Sequence, residues 1–75
     1  MIIFHLKELL QQQKISQNKF ARMTGIRPNT INDLVNNKTK RLEIATFNKI
    51  LKVIVRWGYA LPDFIEYKEK NNEKF

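Results

Sequence analysis

The chain contains no cysteine among its 75 residues. Disulfide staples and thiolate metal sites are therefore excluded, and the fold must hold by packing alone. Glycine and proline occur only twice each, which leaves little for long loops and nothing for a Gly-rich phosphate cradle. The single histidine, His5, has no thiol and no nearby carboxylate pair along the sequence with which to ligate a metal. Long apolar runs are also missing. The best candidate, residues 50–57, is broken by Lys52 and Arg56, far short of a bilayer span. The opening Met1-Ile2-Ile3-Phe4-His5 carries no basic run and is too short for a signal peptide, so a cytoplasmic protein is expected. Ser16 is better placed to cap a helix than to act as a nucleophile. Neither an enzyme, a cofactor nor a metal is expected.

Acidic residues are scarce as well. Seven face fourteen Lys and Arg, for a net charge of +7. The excess is local: residues 14–56 hold ten of the cations against Asp33 and Glu43, whereas both ends are close to neutral. Such a field favours a polyanion, either nucleic acid or an acidic membrane. The membrane is the weaker reading, because the cations do not lie opposite one apolar face of a single helix.

A chain of this length makes one domain. Spacing predicts a first helix over residues 6–13, with Leu6, Leu9 and Leu10 on one face. Ile2-Ile3-Phe4 before it reads as a short strand. Ser16 is an N-cap for a second helix over residues 17–24, with Ile15 stapling against Phe20. Phe20, Ala21 and Thr24 point inward. Gly25 ends this helix. Pro28 opens a third, over residues 28–36, because the first helical position does not need its N–H. Its inner stripe is Ile31, Leu34 and Val35. A basic loop, Lys38-Thr39-Lys40-Arg41, follows. A fourth helix spans residues 44–57 with Phe47, Ile50, Leu51, Ile54 and Trp57 on one face, and Val53 and Val55 widen that face toward a broad core contact or a self-association surface. Gly58 ends it. Residues 61–67 read as one helical turn running into an extended end that pairs with Ile2–Phe4. The expectation is an all-α bundle of four to five helices with a small two-stranded ribbon joining the termini. Residues 1–67 form the domain and 68–75 a polar tail.

Residues 17–36 carry the most specific pattern. Gln17 opens one helix, Ala21 is small enough for a close crossing, Gly25 suits a tight turn, and Ile26, Ile31 and Leu34 fill the space beneath. With Ser16-Gln17, Phe20-Ala21, Thr24-Gly25-Ile26, Asn29-Thr30-Ile31 and Leu34 in register, the chain resembles the lambda-repressor/Cro-like helix-turn-helix family, also called the XRE family, over about residues 5–67. The resemblance implies a lambda-repressor-like bundle that binds operator duplex DNA, often as a homodimer, and regulates transcription as a repressor or an activator, here most simply a repressor. It implies that Gln17 touches a phosphate and braces the third helix. Arg27, Pro28, Asn29, Asn32, Asp33 and Asn36 would line its major-groove face, and Thr30, Lys38, Lys40 and Arg41 would approach the backbone. Pro28 at a base-facing position and a longer segment over residues 55–60 depart from the family pattern.

The side-chain chemistry agrees with that implication. Asn29 or Asn32 can donate and accept at once, as adenine requires, and Arg27 can reach guanine with two hydrogen bonds. Asp33 can accept from cytosine, repel phosphate, or pair within its own helix. Lys38, Lys40 and Arg41 can neutralise phosphates. The rival reading is an antitoxin-like or phage protein-interaction module, with a protein partner on the fourth helix or on Trp57, Tyr59, Phe64 and Tyr67. The clustering of Arg27, Lys38, Lys40 and Arg41 favours DNA, since a domain that had abandoned DNA would not need it.

Overall fold

Three eight-residue helices follow a short N-terminal strand in the computed structural model, which describes residues 1–69. Strand β1 (Ile2–Phe4) leads into α1 (Leu6–Gln13), then α2 (Gln17–Thr24), α3 (Pro28–Val35), α4 (Ile44–Arg56), the single turn α5 (Leu61–Phe64) and strand β2 (Ile65–Tyr67). This is the expected helical bundle with a terminal ribbon. No helix among the described residues is long and apolar enough to cross a membrane.

Local chemistry sets the boundaries. The Ser16 hydroxyl accepts from the Lys19 N–H at 3.0 Å, satisfying one of the free donors of the first turn of α2. Gly25 stops that helix at φ +72°, a left-handed conformation that side chains with a Cβ resist, while its N–H donates to the Ala21 carbonyl at 2.9 Å. Thr24 closes the same turn by donating to the Phe20 carbonyl at 2.8 Å. Arg27 is the N-cap of α3, and Pro28 follows in the first turn. Asp63 caps α5 by accepting from the Ala60 N–H at 2.8 Å.

The core collects one stripe from each helix. Leu6, Phe20, Ile31, Leu34, Ile50, Ile54 and Phe64 are fully buried. Phe64 packs its ring against Phe4 at 5.5 Å and Phe47 at 5.7 Å, so the ribbon and α4 share one aromatic contact. Trp57 packs on Phe20 at 5.7 Å, and Ile15 lies partly buried against the same core. The long segment after α4 has its own work: the Tyr59 hydroxyl donates to Gln12 at 2.7 Å and accepts from Gln13 at 3.1 Å, tying it to the end of α1. The wide apolar face expected of α4 divides in two. Val53 packs against the core, whereas Val55, two residues and so about 200° further round the helix, is 58% exposed.

The strands pair antiparallel with Ile2 opposite Tyr67, Ile3 opposite Glu66 and Phe4 opposite Ile65. The Lys68 N–H extends the ladder to the Met1 carbonyl at 2.8 Å. This pairing corrects the expectation for His5. Its Nε2 lies 2.7 Å from a Glu66 carboxylate oxygen and its Nδ1 3.8 Å from Glu8. Glu66 reaches it only through strand pairing across 61 positions, which no local spacing reveals. Among the described residues no group of three or more His, Asp or Glu side chains is arranged to hold a metal ion. Of the polar tail expected from residue 68 onward, Lys68 and Glu69 are exposed and residues 70–75 lie outside the described residues.

Candidate nucleic-acid interface

Helix α3 buries Ile31, Leu34 and Val35 and turns its other side to water. At 100° per residue, Asn29, Asp33 and Asn36 sit at the outer pole, with Asn32 on one flank and Thr30 on the other. Asn29, Asn32, Asp33 and Asn36 are exposed, as are Arg27 and Pro28 at the helix entry. A ridge of short polar side chains of this kind can enter a groove of B-DNA, whose major groove is about 12 Å wide.

The Asn32 flank faces α2. Asn32 Nδ2 donates to Gln17 Oε1 at 3.1 Å, and Asn36 Nδ2 donates to Asn32 Oδ1 at 3.2 Å and to its carbonyl at 3.0 Å. Gln17 therefore contacts α3 through Asn32. The same bonds give both ends of the Asn32 carboxamide a partner, which leaves Asn29 as the carboxamide with neither end engaged among the described residues. The Asp33 carboxylate forms no ion pair among the described residues, and its backbone carbonyl accepts from the Lys38 N–H at 2.8 Å.

On the Thr30 flank lies a cleft of about 400 Å³ where Thr30 and Asp33 meet Lys38, Thr39, Lys40 and Arg41. The three cations are exposed. The Thr39 hydroxyl is buried and has no hydrogen-bond partner among the described residues. A second cleft, of about 390 Å³, opens where the α2–α3 turn and Thr30 meet α4. Arg27, Glu43, Thr46 and Lys49 bring their side chains to it. Pro28 stands apart from both, beside Arg22 and Ala21 over the turn.

The structure thus gathers the sequence-predicted residues into a bonded row (Gln17, Asn32, Asn36), a free outer pole (Asn29, Asp33), and a basic flank (Thr30, Lys38, Lys40, Arg41). Arg27 joins a different group from the one expected. Thr46 and Lys49 were not singled out from sequence, although the spacing of three from Glu43 through Thr46 to Lys49 marks one side of α4.

The position of the basic loop is fixed from behind. Asn37, at φ +55°, accepts from the Phe4 N–H through Oδ1 at 2.6 Å and donates to the Phe4 carbonyl through Nδ2 at 3.0 Å. The side chain of the residue before Lys38 acts as one residue of a third strand on the ribbon.

No curated protein matches the chain. A family model described as a Cro/C1-type HTH DNA-binding domain matches residues 5–54, from the residue before α1 through all but the end of α4. The match takes in the two-helix motif, its Gly25 turn and the basic loop, and on that ground the chain belongs to the Cro/C1-type helix-turn-helix family of DNA-binding domains.

Proposed function

We propose that this protein is a sequence-specific regulator of transcription, acting as a repressor, that seats α3 in the major groove of duplex DNA. The observation that carries the reading is the free outer pole of α3 standing between a braced flank at Gln17 and a basic flank at Lys38, Lys40 and Arg41. Phosphate contacts set register and bases are read at the pole. Asn29 is the adenine reader in this arrangement, because Asn32 is already bonded within the protein. Asp33 accepts from a cytosine amino group or excludes bases that would place an acceptor there. Repression then follows from occupancy of the site. Should two copies bind together, their half-sites would lie about 34 Å apart.

The test compares Asn29→Ala with Lys40→Ala on a duplex chosen by the native protein and on a scrambled one. Asn29→Ala should lower affinity for the chosen duplex alone, by about tenfold, as expected for one lost two-bond base contact. Lys40→Ala should lower both and flatten the salt dependence. If neither variant changes affinity for either duplex, α3 does not enter the groove.

A further inference from the structure

Seating α3 in the groove leaves the second basic cleft without a role. A major groove is walled by a phosphate backbone on each side. The two flanks of α3 diverge, Asn32 toward Gln17 of α2 and Thr30 toward both clefts. A helix lying in the groove therefore meets one wall on the Gln17 side and the other on the Thr30 side. Thr30 stands on the boundary between the loop cleft and the α4 cleft, so the α4 cleft continues the surface that faces the second wall.

Its chemistry suits an oxyanion. Arg27 and Lys49 are exposed cations, Thr30 and Thr46 are half-buried hydroxyls, and none of the four makes a side-chain hydrogen bond or ion pair among the described residues. Cationic donors to phosphate oxygens make the stronger class of hydrogen bond. Glu43 is the one acid in the cleft, and its carboxylate opposes an anion there without cancelling both cations.

We propose that the Arg27–Lys49 cleft is a second phosphate seat, which takes a backbone phosphate of the DNA and makes α4 part of the interface. Arg27 then contacts the backbone and not a base, and Glu43 holds the affinity down. This rests on the reading that α3 enters the major groove, and the experiment separates the two.

Salt titrations of binding to a random-sequence 20-base-pair duplex would be run for Lys49→Ala, Arg27→Ala and Glu43→Gln. Lys68→Ala, on the ribbon outside both clefts, serves as the charge-matched control, and Lys40→Ala as the probe of the loop cleft. Loss of one phosphate contact should make the slope of log K against log salt shallower by about 0.9, which is about eightfold in affinity at 0.1 M salt. That is the result expected for Lys49→Ala and for Arg27→Ala, the latter with its base preference intact. Glu43→Gln should bind several-fold more tightly than the native chain. Lys49→Ala indistinguishable from Lys68→Ala, with Glu43→Gln no tighter than the native chain, would overturn the seat. If Lys40→Ala still weakens binding in that series, only the seat falls. If Lys40→Ala is unchanged too, the groove reading falls with it.

Discussion

Asn37 holds Phe4 by both of its backbone polar groups, at 2.6 Å and 3.0 Å, across 33 positions of sequence. The carboxamide closes the free side of β1 at that residue, where an unpaired edge would otherwise remain. It also anchors the loop that begins with Lys38. Asn is suited to the position because it tolerates the left-handed conformation better than other residues with a Cβ.

Replacing Asn37 should therefore loosen the ribbon and the loop together. Asn37→Ala loses two hydrogen bonds and adds backbone strain, for about 2 kcal/mol in all. In a domain of this size the melting temperature should fall by about 10 °C. Asn37→Gly keeps the backbone at ease and loses only the bonds, so it should melt between Asn37→Ala and the native protein. Thermal melts followed by circular dichroism check the order.

The bond from Asn32 to Gln17 should couple the two residues in DNA binding. Either single replacement by Ala releases the flank of α3, and the second should then cost little. A double-mutant cycle on a specific duplex should give a coupling of about 1 kcal/mol, or about fivefold in affinity. Additive single effects would mean that Gln17 acts on DNA independently of Asn32.

At Gly25 the cost of a side chain is conformational alone. The φ of +72° disfavours a Cβ, yet a Cβ built there meets nothing within 4 Å. Gly25→Ala should lower stability by about 1 kcal/mol, and because Gly25 lines the α4 cleft its DNA affinity is to be read separately from its stability. Urea unfolding followed through Trp57, the single tryptophan, measures the first part, since its ring packs on buried Phe20.

Phe64 joins the ribbon to the helices. Its removal as Phe64→Ala should cost about 3–5 kcal/mol. A domain of this length is stable by only about 4–11 kcal/mol, so much of its margin would go. The variant should show a urea midpoint far below that of the native protein, with the ribbon and helices lost in one transition.

Much of this was legible in the sequence because its signals are local. Ser16 before an amphipathic run, Gly25 after it and Pro28 at the next start mark α2 and α3 to the residue, except that Asn36 caps α3 instead of closing its last turn. The ribbon was legible from two short apolar segments at opposite ends. What stayed hidden depends on distant pairs of polar side chains. Nothing around Asn37 points to Phe4, nothing around Asn32 says that its carboxamide is spent on Gln17, and Glu66 meets His5 only after the strands pair. Nothing around Arg27 says either that it shares a cleft with Lys49 of α4.

The central claim is that α3 reads bases, and selection of bound duplexes from a random library at near-physiological salt tests it most directly. Convergence on one motif that changes when Asn29 is replaced is the predicted result. Retained salt-sensitive binding without convergence would contradict the claim, because it would leave attraction to the phosphate backbone as the whole of the interaction.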